Sequence, residues 1–161
     1  MFDDLKDDML HILIHLFVYQ YKSKNILSSP TRDDLMYEII GLNAMAENIM
    51  IRTARMFDKP KQARSLFKLS NYKNDAQIKK EVDDFYDATG KKLIDLRHKK
   101  LAHMNKNEKS SYPIDQLPKY VYESIEFLFN LLDKIEGTQV SYTFKVSSTS
   151  SLIDLRKELF K

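Results

Sequence analysis

A chain of 161 residues, 43% of them hydrophobic, is long enough for one domain with its own core, and without cysteine it can hold neither a disulfide framework nor a thiolate metal site. Its net charge of +3 is mild, but seven Lys/Arg fall between Lys91 and Lys109 against Asp95 and Glu108, while the first ten residues are acidic; a local patch of this kind suits a polyanion. Asp3, Asp4, Asp7 and Asp8 precede the first apolar run, the wrong flank for a secretory signal, and no apolar stretch reaches membrane-spanning length. A soluble, cytoplasmic chain with no membrane partner is expected.

The first predicted helix runs from Asp3 to about Tyr21, with apolar residues at Leu5, Met9, Ile12, Leu13, Leu16, Phe17 and Tyr19. His11 and His15 stand four apart on its other stripe. With Asp8 they have metal-ligand spacing, but they lack the intervening glutamate of a zinc-protease helix, so a solvated polar stripe is the expected reading and no metal is assigned. Pro30, and Thr31 with Asp34 three residues on, then mark a helix start in capping-box form. Leu35, Ile39, Leu42, Ala46, Ile49 and Met56 make the seam of the longest helix. Asn43, Glu47, Arg52 and Arg55 lie close to that seam, and they are expected at its solvated edge rather than buried with partners.

Pro60 ends this helix, and the stretch from Asp58 to Lys73 reads as a basic loop whose mixed aromatic and basic residues suit contact with nucleic acid, or, as is commoner, whose Leu66, Phe67 and Leu69 tack it onto the bundle. Asn74 or Asp75 caps the third helix, which carries Ile78, Val82, Phe85, Leu93 and Leu96; Gly90 kinks or divides it at modest cost. A polar loop with Asn105, Lys106 and Asn107 follows. Asp115 is the expected cap of the fourth helix, through Leu117, Val121, Ile125, Leu128, Leu132 and Ile135, which Gly137 stops. Beyond it, Val140, Tyr142, Phe144 and Val146 alternate with polar residues as a strand does, and Leu152, Leu155 and Leu159 have a helical repeat. A lone strand cannot satisfy its own backbone. It pairs with another chain, with another segment, or stays irregular. The expected architecture is therefore an all-α four-helix bundle over residues 1–137 with an extension, 138–161, that holds a short strand and a short helix.

Chemistry concentrates in the segment Leu93 to His103, Leu-Ile-Asp-Leu-Arg-His-Lys-Lys-Leu-Ala-His. Arg97 and His103 are six residues apart, so on an unbroken helix they point about 120° from each other and converge only if the helix ends or bends between them. A guanidinium offers a permanent cation with forked donors for phosphate oxygens, and an imidazole moves protons near neutral pH. Together they suit cleavage of RNA through its own 2′-hydroxyl, which needs a base, an acid and charge stabilisation at the phosphorane, without metal or other cofactor.

The order and spacing of Arg97, His98 and His103 resemble the motif of the HEPN superfamily (higher eukaryotes and prokaryotes nucleotide-binding). The run to Leu101-Ala102-His103 is most similar to its abortive-infection U-type branch. Ile51 to Asp58, Ile-Arg-Thr-Ala-Arg-Met-Phe-Asp, with Ser65-Leu66 after it, resembles that branch's second helix and following loop, and the likeness spans roughly Asp33 to Glu136. It implies a HEPN-like four-helix bundle that forms homodimers with the motifs facing each other. It also implies metal-independent RNase activity in many members, often in phage defence or toxin–antitoxin pairs, where an antitoxin or regulatory protein is a further partner.

The expected function is thus a metal-independent endoribonuclease with a composite site across a dimer. Arg97 binds the scissile phosphate and His103 is the general base or acid. His98 orients one of them, Lys99, Lys100 and Lys106 attract the RNA backbone, and Glu47 and Asp95 offset the basic charge near the two-fold axis. The alternative is a non-catalytic interaction or nucleotide-binding module using the same basic surface.

Overall fold

The computed structural model describes residues 1–28, 31–60, 63–98, 117–145, 147 and 151–160. The fold is mostly helical. Helix α1 (Phe2–Asn25) and helix α2 (Arg32–Met56) form an antiparallel pair. Two ion pairs fix their register, Asp8 with Arg52 at 3.0 Å and Lys22 with Glu38 at 2.6 Å. In both pairs the residue numbers sum to 60, as an in-register antiparallel pair requires. Thr31 starts α2 as its sequence predicts, accepting from the Asp34 amide at 3.1 Å and donating to the Asp34 carboxylate.

After α2 the chain makes a 3₁₀ turn at Leu66–Lys68 and a short helix α3 (Ser70–Asn74), the latter inside what the sequence reads as loop. Leu66, Phe67 and Leu69 are buried, which tacks this connection to the bundle as expected. Asp75 caps helix α4 (Ala76–Phe85) by accepting from the Gln77 and Ile78 amides. The predicted helix is divided at Gly90: a π-helical turn, Tyr86–Gly90, separates α4 from helix α5 (Lys91–Leu96) and passes directly into it.

The π turn has a packing cause. From Phe85 the inward positions step by four through Thr89, Leu93 and Arg97, and four residues of ideal α-helix overshoot a full turn by about 40°. A wider turn rotates less per residue and keeps these positions in phase with Ile78 and Val82. Gly90 supplies the room, since a Cβ there would lie 2.9 Å from Tyr86 Cδ2 and 3.3 Å from Phe57 Cδ1. Phe57 stacks on Phe85 with centroids 5.7 Å apart, and Phe85 lies flat on Phe127 at 3.9 Å.

Helix α6 (Lys119–Glu136) brings Val121, Ile125, Leu128 and Leu132 to the same core, and Gly137 ends it at φ +76°, the left-handed stop foreseen from the glycine. Asp115, its expected cap, lies outside the described residues; Pro118 precedes the first helical residue. The strand-like segment finds its partner within the chain. Strand β1 (Thr143–Phe144) pairs antiparallel with strand β2 (Ile153–Asp154), which leads into helix α7 (Leu155–Leu159). Val140, Tyr142 and Leu155 are buried in the cluster that includes α1 and α6. Arg156 clamps the extension to α6, donating to Asp133 at 2.6 Å and lying 3.7 Å over the Phe129 ring. No helix among the described residues is long and apolar enough to cross a membrane.

The two helical glycines should respond oppositely to alanine. At Gly41 an added Cβ meets nothing within 4 Å, so Gly41→Ala should stabilise by about 1 kcal/mol through helix propensity. At Gly90 overpacking against fixed rings costs about 1–3 kcal/mol and outweighs that gain, so Gly90→Ala should destabilise. Urea denaturation of the two variants checks the pair, and equal stabilisation by both would contradict the close packing of Phe57 on Gly90.

Candidate functional site

Arg97 and His98 follow α5 directly, in a second π-type turn. Arg97 caps α5, and the preceding turns hold it in place because Leu93 is fully buried and Ile94 packs on the same core. Its guanidinium therefore leaves the helix at the edge of the core. There the end of α2 meets it: Phe57 anchors in the aromatic cluster, and the next residue, Asp58, turns its carboxylate outward to accept from Arg97 Nη1 at 2.5 Å. The two side chains are only 23% and 15% exposed, so the pair is shielded from screening by solvent. Arg97 Nη2 lies 3.2 Å from His98 Nε2, a contact in which a neutral imidazole with its proton on Nδ1 accepts.

A guanidinium has five N–H donors in a rigid fork. The Asp58 and His98 contacts occupy one donor on each of two nitrogens, so that among the described residues Nε–H and one N–H on each terminal nitrogen remain for a further oxygen anion. Arg97 can therefore be held by protein and still grip a phosphate. His98 is exposed beside it.

The acids singled out from the sequence are not the ones that hold Arg97. Glu47 is exposed on α2 and Asp95 is exposed on α5, and neither pairs with Arg97 among the described residues; the carboxylate that does is Asp58. No local pattern announces this pairing, because the partners are 39 positions apart and meet only when the end of α2 packs on α5. His103, Lys99, Lys100 and Lys106 lie outside the described residues.

One other sequence reading is corrected by the geometry. Arg52 is not simply a solvated edge charge: it bridges α2 to α1, donating to Asn48 Oδ1 and to Asp8 Oδ1, each at 3.0 Å. That bond engages the Asp8 carboxylate which, with His11 and His15, has metal-ligand spacing. His15 Nδ1 is 2.7 Å from the His11 carbonyl oxygen. Basic residues next to the site are likewise partly committed. Lys59, following Asp58, sits 3.9 Å over the Tyr86 ring, and Lys91 pairs with Asp87 at 2.8 Å, a bond that holds the Asp87 carboxyl below the usual carboxylate range.

The Asp58–Arg97 pair should be measurable as a coupling. Asp58→Ala and Arg97→Ala should each destabilise by about 1–2 kcal/mol, less than a fully buried pair because both groups retain some exposure. In the double-mutant cycle, about 1 kcal/mol should prove non-additive. Additive losses in urea denaturation would mean that the pair is a surface contact of no structural weight.

No family model, curated protein or solved structure matches this chain.

Proposed function

We propose that the protein is an endoribonuclease of the HEPN type that cleaves RNA by attack of a 2′-hydroxyl on the adjacent phosphorus. The observation that carries the reading is the state of Arg97. It is tethered by Asp58, stands against His98, and among the described residues keeps donors without a partner at the head of the segment that runs on to His103. In this reaction a base takes the 2′-hydroxyl proton, the oxygen bonds to phosphorus, and the bond from phosphorus to the 5′-oxygen breaks as that oxygen receives a proton. The products are a 2′,3′-cyclic phosphate and a 5′-hydroxyl. Arg97 neutralises charge as it builds on the phosphorane oxygens, where a fixed guanidinium needs no reorganisation. His103 serves as one proton carrier.

The second carrier has two sources. Two copies of the chain facing each other across a two-fold axis would provide two His103 groups in a composite site. Alternatively His98, already 3.2 Å from Arg97, works with His103 of the same chain. The lysines at positions 99, 100 and 106 draw the RNA backbone towards either arrangement.

Purified protein should cut single-stranded RNA in the presence of EDTA, with a pH profile whose limbs lie near neutrality and a rate that falls as salt rises. Arg97→Ala and His103→Ala should each lower the rate at least about a hundredfold, the usual scale for loss of a charge stabiliser or a proton carrier. Mixing the two inactive variants restores cleavage only if sites are composite. Intact RNA under all these conditions, or full activity in both variants, refutes the reading.

A further inference from the structure

Helix α2 shows solvent a second face that the bundle does not use. Asp33, Tyr37, Ile40, Ala44, Glu47 and Ile51 are exposed and Arg55 is half-buried. At about 100° per residue these seven positions fall within an arc of roughly 80°. The apolar members are far more open than core residues of their type: Tyr37 is 74% exposed, Ile40 51% and Ile51 42%, with Met36 at 52% on the flank. Single exposed apolar residues need no explanation, but four aligned along one helix do.

We propose that this face of α2 binds the same face of a second copy, antiparallel, with Ala44 on the two-fold axis. The register is read from the charges. Asp33 and Arg55 form no ion pair among the described residues, and each lies eleven positions from Ala44. Antiparallel pairing about Ala44 sets Asp33 of each copy opposite Arg55 of the other. The same register places Tyr37 opposite Ile51, and Glu47 opposite Gly41, where a Cβ would have nothing within 4 Å. Alanine is at the crossing point, where two backbones must come closest. An isologous contact needs this kind of self-complementarity, and no other centre on the helix sets Asp33 against Arg55.

The stripe spans 22 residue steps, about 33 Å, and with helices about 10–12 Å wide two copies would bury on the order of 800 Å². That lies below the usual size of a stable interface, so a dimer in rapid, micromolar exchange follows. Asp58 lies fourteen positions beyond Ala44, so the two Arg97 groups stand roughly 40 Å apart along the paired helices. In this dimer each Arg97 works with residues of its own chain. The pairing does not depend on the cleavage reading, because none of its contacts uses Arg97, His98 or His103.

The chain has no cysteine, so a single introduced thiol reports the axis directly. Under mild oxidation Ala44→Cys should form a disulfide dimer, whereas Lys79→Cys on α4 should not. In sedimentation velocity from about 1 to 200 µM the wild type should pass from monomer to dimer. Ala44→Arg, at an exposed helical position that tolerates the side chain, should weaken association at least about a hundredfold while the circular dichroism spectrum is unchanged. Asp33→Arg and Arg55→Asp should each weaken it about tenfold, and the double variant should recover it, because the two charges exchange places. A wild type that stays monomeric throughout overturns the proposal. So does a dimer indifferent to Ala44→Arg, or a double variant no better than the singles. RNA cleavage by these variants is a separate readout, and its loss or survival does not bear on the pairing.

Discussion

The contact of Phe57 with Gly90 is the constraint on which the candidate site depends. Phe57 ends α2 inside a stack of rings with Phe85 and Phe127, and it sits so close to the α4–α5 junction that a Cβ at position 90 would lie 3.3 Å from its ring and 2.9 Å from that of Tyr86. Because Phe57 is fixed, the next residue has little freedom. Asp58 must emerge where α5 ends, within bonding distance of Arg97. The π turn serves the same end from the other side, by keeping Leu93 in the core and Arg97 on its edge. A side chain two hydrophobic turns away thus sets the position of a guanidinium, and the precision comes from packing rather than from the ion pair itself.

The ion pair contributes orientation. In water an exposed arginine spreads over many rotamers, and holding it costs side-chain entropy of up to about 2 kcal/mol. Asp58 meets that cost in the folded chain before any ligand arrives. It also lowers the net charge that a phosphate encounters, so the arrangement exchanges some attraction for pre-organisation. Arg52 shows the contrasting case. Its guanidinium bridges Asn48 and Asp8 between α1 and α2, a register device at the face of the helix pair. Two arginines, one four positions before the α2 end and one just past α5, therefore differ in role because of what surrounds them, not because of their chemistry.

What the sequence disclosed follows from how local each signal is. The capping box at Thr31, the Asp75 cap and the Gly137 stop are short-range hydrogen-bond and backbone effects, and each is found where its residues stand. The seams of α1, α2 and α6 are periodic over many turns and equally readable. The π turn escapes because Gly90 reads as a helix-weakening residue until Phe57 is seen against it. Helix α3 escapes because five residues carry too little periodicity. The pairing of β1 with β2, two residues to a strand, and that of Asp58 with Arg97 are non-local, and no spacing rule joins such positions. In the candidate site, then, the arginine and its adjacent histidine were legible as residue types, while the carboxylate that positions the arginine was not.

Helix α2 joins these threads because one 25-residue helix has more circumference than the bundle can cover. Its inner side, with Leu42, Ile49, Thr53, Ala54 and Met56, meets the core, and its last residue leads into the ring stack that aims Asp58. An α-helix packed against neighbours on one side alone leaves about half its surface in water, and selection for solubility would normally make that half polar. Here it holds Tyr37, Ile40 and Ile51, with Glu47 among them, between Asp33 and Arg55, charges of opposite sign that form no ion pair among the described residues. Core packing does not explain these residues, since they touch solvent, and the bonds that Arg97 makes to Asp58 and His98 use none of them. A surface on which Asp33 and Arg55, and likewise Tyr37 and Ile51, exchange places when the helix is reversed about Ala44 is explained most economically by a partner with the same order of residues running the other way.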